Sequence, residues 1–513
     1  MPPPSTSIIR IQSQPGIKRD GTMLEGDAYV DGQWVRFQRG LPRKIGGYRS
    51  INKYLSEVSR ALNAYTQNDL TYVHSGSANK IERFFIDSSN NTSVITDRTP
   101  TSGFTADAAN VWQFDIDSDS TQNLLVAQVA PNGTNIANSN GGELFSGPIL
   151  GTGALTAITL PSGGNCTGGV VALHPYTFIY GTNGYVAWSV AGDPTDFTGS
   201  GSGSANVTAQ KIVKAMPLRG GPGNSPSGLM WSLDAVVRAT FVGGAEVFQF
   251  DTLSTESSIL SPNSVIEYDG VFFWLGVDRF LMFNGVVREV PNAMNINWFF
   301  DGLNVNHAQK VFAFKVPRYG EIWWCYPRGE ATECSHAIIY NVRENSWYDC
   351  ELPNGGRSAG TSPSVFRKPL LTGVQSSTSG YKLWVHETGV DEVDGTSTQP
   401  IYSFFETAEI SLPISSEGKI NKQLHIAYIE PDFVQSGEMM VSVHGRFNAR
   451  SPEVEGPFMP FPAAATGQTD QVVYLKTQRR QLRFRFASNV VGGDYQMGLI
   501  LGHFQPGDGT MIG

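Results

Sequence analysis

Hydrophobic positions along this chain come in short runs cut by turn residues. The clearest stretch is 271–291, VFFWLGVDRFLMFNGVVREVP. Residues 272–275 and 280–283 read as paired strands, with Gly276-Val277-Asp278 and Asn284-Gly285 as the turns that follow them. Asn-Gly between apolar runs is a strong hairpin signal, because both residues accept positive φ. Looser versions of this unit lie at 62–87, 111–130, 170–190, 229–250, 311–352 and 369–386. Their bends are expected at Asn68-Asp69, Asn183-Gly184, Asp193-Pro194 and Gly243-Gly244. Six or seven small sheets in series predict an all-β, β-propeller-like domain, an architecture that leaves few exposed strand edges. A large β-sandwich or a pair of barrels is the alternative.

The pattern changes near residue 400. Five longer runs follow, at 401–413, 422–430, 438–447, 470–488 and 495–504. In QLRFRFA, Leu482, Phe484 and Phe486 alternate with Arg483 and Arg485, the period of a half-buried strand. These runs predict a C-terminal β-sandwich over 400–513, behind a polar boundary at 387–399. Residues 1–27 read as an N-terminal arm, 28–390 as the propeller-like domain, and 199–228, rich in Gly, Ser and Pro, as a loop insert. The best helix candidate is 291–310, opened by Pro291 and stopped by Gly302, with Met294, Trp298 and Phe299 on one face.

Composition sharpens this picture. The 513 residues include 56 glycines, 11% aromatic and only 16% charged residues, which suits short strands joined by turns. The net charge of −9 argues against a surface that grips nucleic acid through its phosphates. The N-terminus has no apolar stretch of signal-peptide length, and no apolar run is long enough to span a membrane, so no membrane insertion is expected. Four cysteines are too few for a disulfide scaffold, and reduced, buried thiols are expected.

Candidate chemistry is sparse. The chain has no G-x-x-x-x-G-K-[ST], no H-E-x-x-H, no paired C-x-x-C and no G-x-S-x-G. Cys325, Cys334, His336 and Cys350 could neighbour one another on strands, but their spacing matches no common zinc site. Asp115, Asp117 and Asp119 resemble half of a calcium loop, yet Ser120 and Val126 stand where Gly and Glu are needed. No catalytic, cofactor-binding or metal residue is assigned. The one basic cluster is Arg479, Arg480, Arg483 and Arg485. It is read as a solvated strand face, as a subunit interface that pairs with carboxylates of a neighbour, or as a point of contact with DNA.

Several segments together resemble the tail nozzle proteins of short-tailed bacteriophages, also called packaged-DNA stabilisation proteins. They are VRFQRGLPRKIGGY, YVAWSVAGDPTDF, EVFQF leading into the 271–291 stretch, INWFFDGLN, IIYNVRENSWYDCEL, and RRQLRFRFAS followed by GDYQMGLILG. The resemblance covers most of the chain and lies in the order of loose motifs. It implies a non-enzymatic homohexameric ring in the virion tail, assembled in the host cytoplasm. That ring would sit below a portal-adaptor ring, continue the DNA channel, retain the packaged genome and carry tail fibre or needle proteins. Contact with genomic DNA would be transient. Movement of 1–27 or 199–228 would narrow the channel as a gate. Two readings from other classes remain: a tail-associated polysaccharide hydrolase on a propeller scaffold, and a carbohydrate-binding propeller.

Overall fold

Short apolar runs separated by turn residues can satisfy their backbone groups only by pairing with one another, and they do so here in small antiparallel sheets. The computed structural model describes residues 7–22, 25–87, 92–102, 104, 111–130, 143–161, 166–218, 226–244, 246–363, 368–411, 423–463 and 471–506. Among these, six sheets have four antiparallel strands each. The first runs from Ala61–Gln67 to Thr96–Asp97, the second from Val111–Ser118 to Thr156–Ile158 and the third from Gly169–Leu173 to Gly203–Asn206. The fourth runs from Ile212–Pro217 to Phe248–Ser254, the fifth from Ile266–Tyr268 to Val287–Glu289 and the sixth from Phe312–Val316 to Ser346–Glu351. The seventh sheet is mixed and six-stranded. It starts at Arg357–Thr361, continues through Leu370–Ser377 and Gly380–His386, and is extended by Tyr48–Leu55 from the other end of the chain. Glu392–Asp394 then pairs parallel to Tyr48–Leu55.

The turns follow the expected chemistry in part. Asn68 and Asp69 (φ 52° and 61°) and Asn183 and Gly184 (φ 55° and 64°) all take the left-handed conformation of a tight hairpin. At Asn284-Gly285 only Gly285 is left-handed (φ 107°), because the connection from Phe283 to Val287 has three residues rather than two.

Apolar side chains join each sheet to the next. Ile81 of the first packs with Trp112 of the second, Val126 of the second with Ile179 of the third, and Phe178 of the third with Phe248 of the fourth at 4.7 Å between ring centroids. Trp231 of the fourth meets Trp274 of the fifth at 5.7 Å, and Phe280 of the fifth meets Trp324 of the sixth at 5.3 Å. Trp323 and Trp384 place the sixth and seventh in one core. Leu370 and Leu383 of the seventh pack with Val73 and Phe84, which returns the series to the first sheet. Polar groups on or just ahead of the leading strands also meet. Lys214 donates to Gln113, Gln113 to Asn263 (3.1 Å) and Asn263 to the Arg60 carbonyl (3.3 Å).

Two larger sheets combine strands from 7–44 with strands from 403–506. The six-stranded one pairs Ser7–Ile11, Val35–Gln38 and Leu41–Lys44 with Leu424–Ser436, Val473–Arg479 and Asp494–Pro506. The seven-stranded one pairs Asp31–Gln33 with Ser403–Glu406, Gln481–Ser488, Met439–Arg446 and three short strands. Leu424, Ile426 and Ile500 of the first share a core with Phe405, Val443 and Phe484 of the second.

Strand pairing crosses the limits set from sequence. Four strands of 7–44, Ser7–Ile11, Asp31–Gln33, Val35–Gln38 and Leu41–Lys44, belong to the two large sheets with strands from 403–506, although 1–27 reads as an arm and 28 as the start of a separate unit. The insert at 199–228 is not a plain loop. Gly203–Asn206 pairs with Tyr185–Trp188, and Ile212–Pro217 pairs with Ser227–Ser232. A Cβ on Gly203 would fall 2.5 Å from the Trp188 ring, so this glycine serves close packing rather than mobility. Residues 219–225 lie outside the described residues. Strands thus occupy parts of both segments expected to move, Ser7–Ile11 and Gln14–Ile17 in the first and Gly203–Asn206 and Ile212–Pro217 in the second. The run at 470–488 also splits: Val473–Arg479 and Gln481–Ser488 belong to different sheets. The helix is shorter than its pattern, Ile296–Gly302, with Phe299 buried and Trp298 partly exposed. None of the described helices is long and apolar enough to cross a membrane.

Candidate interaction site: an arginine and glutamate cleft

The alternation in QLRFRFA sets Leu482, Phe484 and Phe486 into the core and turns Arg483 and Arg485 to the opposite face. That face is covered by the chain's own carboxylates. Arg483 Nε donates to Glu406 Oε2 (2.8 Å), Nη2 to both Glu453 oxygens (2.7 Å each) and Nη1 to Glu409 Oε1 (3.3 Å). Arg485 reaches Glu406 (3.4 Å) and the Tyr402 hydroxyl (2.9 Å), and its guanidinium lies 3.8 Å from the centre of the Phe404 ring. Sheet register makes this possible: Glu406 stands directly opposite Arg485, and His444 opposite Arg483.

Arg479 and Arg480 do not enter the cleft. They sit where the chain passes from one large sheet to the other. Arg479 donates to the Gln478 carbonyl and lies over Phe447, while the Arg480 backbone N–H bonds the Arg446 carbonyl. The four-residue cluster of the sequence is therefore two pairs with different surroundings.

A cleft of about 570 Å³ opens beside Arg483 and Arg485. Its other wall is the segment Lys18 to Asp31 with Trp298. Arg19 pairs with Asp31 and with Asp349 (3.0 Å), and Asp20 accepts the Asn297 and Trp298 N–H groups at 2.8 Å. Trp298 carries Arg328 at 3.8 Å and Arg19 at 5.3 Å. His444, buried, holds Glu453 through Nδ1 (2.6 Å) and faces Glu455 and Ser442 through Nε2.

The electrostatics match this pairing. Burial by itself would lower the Arg483 pKa, but Glu406 and Glu453 raise it above the ordinary arginine value. Glu453 loses some solvation, yet the His444 and Arg483 contacts hold it below the usual carboxylate range. Burial raises Glu409, against the pull of Arg483 and Arg446. Ion pairs of this kind fix geometry more than they add stability. What the cleft does chemically is bind one part of the chain to another and present a mixed-charge rim.

The other sequence candidates are dispersed. Asp115 accepts the Ala172 N–H, Asp117 holds His174 and Thr177, and Asp119 closes its own turn through Thr121 and Gln122. The first two bridge the second and third sheets rather than forming a loop. Cys325, Cys334 and Cys350 are buried, and burial raises all three thiol pKa values. His336 is pushed down to about 4, by burial first and then by Arg328 and Arg19. Among the described residues, no group of three His, Cys, Asp or Glu could hold a metal ion. Sequence reasoning missed Lys214, which burial lowers to about 8 against the pull of Asp115. An isolated lysine on a strand has no local signal for such a position.

No family model matches this chain, and no curated protein matches it. Among solved structures it is similar to one titled "Structure of U3-55K", at 5% identity and a TM-score of 0.39, over 66% of this chain and 98% of that one.

Proposed function

We propose that this protein is a structural component of a short-tailed phage virion: a subunit of a homohexameric tail nozzle, with no catalytic role. In this reading the seven sheets are the blades of a β-propeller, and the two large sheets form a β-sandwich. Support for the propeller comes from the packing order, which runs from the first sheet to the seventh and back to the first. Tyr48–Leu55, ahead of the first sheet, completes the seventh and ties the ends of the series together.

The observation that carries the functional reading is this long-range stitching. Ser7–Ile11 pairs with strand Asp494–Pro506, Asp31–Gln33 with Ser403–Glu406, and Tyr48–Leu55 with Gly380–His386. A part that holds a packaged genome back needs sheets that do not open under load, and pairing strands from distant parts of the chain supplies that. The charge fits as well. Six copies at −9 each make an acidic ring, and an acidic wall repels the DNA phosphates that pass it. The portal-adaptor ring above and tail fibres or a needle outside are the partners this reading requires.

Native mass spectrometry and electron microscopy of the purified protein, alone and with portal-adaptor rings, test the proposal. The expected result is a six-membered ring that docks on the adaptor. A chain that stays monomeric in both conditions would overturn it.

A further inference from the structure

Away from the arginine and glutamate cleft lies a larger recess of about 1220 Å³. It opens between the strand Leu41–Lys44, the turn after Phe312–Val316, Ser362, Pro363 and Lys368 ahead of Leu370–Ser377, and the loop after Gly380–His386. Five cations line it: Arg43, Lys44, Lys315, Arg318 and Lys368, against Glu267, Glu387 and Asp494. Two of the three acids are already engaged, Glu387 by Arg36 (2.9 Å) and Glu267 by Lys315. In a chain of net charge −9 this recess is locally positive.

Lys44 is the telling residue. It is 2% exposed, and its ammonium donates to one neutral acceptor, the Gly493 carbonyl, at 2.7 Å. An ammonium has three donors. A buried cation without a paired anion is costly, and burial does lower the Lys44 pKa, with Asp391 and Asp494 only opposing the shift. The neighbours are also short of counter-charge. Arg43 bonds Gln38 (2.9 Å), Lys368 bonds Thr388 (3.3 Å), and Arg318 is exposed on the turn. Tyr319 orders the guanidiniums: Arg36 covers it at 3.8 Å, with Arg318 at 5.3 Å and Arg43 at 5.7 Å from the ring centre.

We propose that this recess is a binding site for a compact oxyanion of phosphate or carboxylate type, carrying two or three charges. Lys44 would anchor it from below, with Arg43, Arg318 and Lys368 at the sides. Glu267, Glu387 and Asp494 in the lining limit how much negative charge the recess can take: a nucleic-acid strand would set a run of phosphates against them, whereas a small anion adds only two or three charges.

The test is calorimetric titration of the intact protein at low salt with pyrophosphate, citrate and a short DNA oligonucleotide. Saturable binding of pyrophosphate or citrate is expected, and comparison of the two tells phosphate from carboxylate preference. Lys44→Met and Arg318→Ala should each weaken it about tenfold or more, the worth of one charge-assisted hydrogen bond. Arg318 lies on an exposed turn, so its variant keeps the test informative even if the Lys44 variant folds poorly. Three results would each overturn the proposal: no binding of either small anion, binding unchanged in Arg318→Ala, or tighter binding of the oligonucleotide through the same residues.

Discussion

Arg36 Nη2 donates to Glu321 Oε2 at 3.0 Å, and both side chains are fully buried. Arg36 comes from a strand of the six-stranded large sheet and Glu321 from the sixth small sheet, so this bond joins the two parts of the molecule. Glu321 also accepts Trp323 Nε1 (2.9 Å) and the Tyr348 hydroxyl (2.7 Å), while Arg36 reaches Glu387 on the far side. Removing one member leaves a buried charge without its partner.

Arg36→Met is therefore expected to cost about 3–5 kcal/mol in urea unfolding. Arg36→Met combined with Glu321→Gln should recover part of that loss, because the stranded carboxylate is gone. If the double variant is as unstable as the sum of the singles, the two residues do not act as a pair.

Trp274 and Trp323 are buried in different cores, one between the fourth and fifth sheets and one against the large sheets. Trp274→Ala and Trp323→Ala should each lower stability by about 3–5 kcal/mol. Melting temperatures equal to wild type would remove both positions from the core.

Acid should destabilise the fold before carboxylates titrate. Burial lowers the pKa of His74 and His386 well below the usual imidazole value, helped by Arg98 and Arg357, and takes His336 to about 4. The unfolded chain protonates these rings near about 6.5 while the folded chain does not. Stability is then full above pH 6.5 and falls as the pH drops toward 4 and below. Melting curves across that range should show the decline. His386→Gln, which keeps an acceptor for Arg357 Nε (3.1 Å from His386 Nε2 in wild type), should make it shallower.

The two arginine pairs should separate by experiment. Arg483→Met removes the cation shared by Glu406, Glu409 and Glu453, leaving Arg485 on Glu406 and His444 and Arg446 on Glu453, and should cost about 2–3 kcal/mol. Arg480, half-buried at the crossing between the large sheets, should change stability by less than about 0.5 kcal/mol on Arg480→Glu. If this edge contacts an acidic neighbour in a ring, the same change should reduce the fraction of assembled rings in sedimentation. Unchanged assembly would take Arg480 out of the interface.

Much of the small-sheet architecture was legible in the chain. The runs at 271–291 and 311–352 fold into the fifth and sixth sheets, and the bends at 68–69 and 183–184 take the conformations their residues favour. The alternation in QLRFRFA correctly marks Leu482, Phe484 and Phe486 as core, but the arginine face is covered rather than solvated, with Arg483 itself buried. By contrast, nothing in YRSINKYL says that residues 48–55 complete a sheet built from 357–386. The strands inside 199–228 are short and flanked by Gly-, Ser- and Pro-rich stretches that dominate the local pattern, and the break at Arg480 interrupts a run whose pattern looks continuous.

Taken by itself, the sequence determined the all-β character, the turns and the inward faces of the strands. These depend on side-chain period and on backbone preferences a few residues wide. Only the tertiary structure decided which strands pair across hundreds of residues, that Arg483 spends its donors on Glu406, Glu409 and Glu453, and that Lys44 is buried beside a recess. Register between distant strands sets those partners, and register is a property of two segments together, which no local pattern contains.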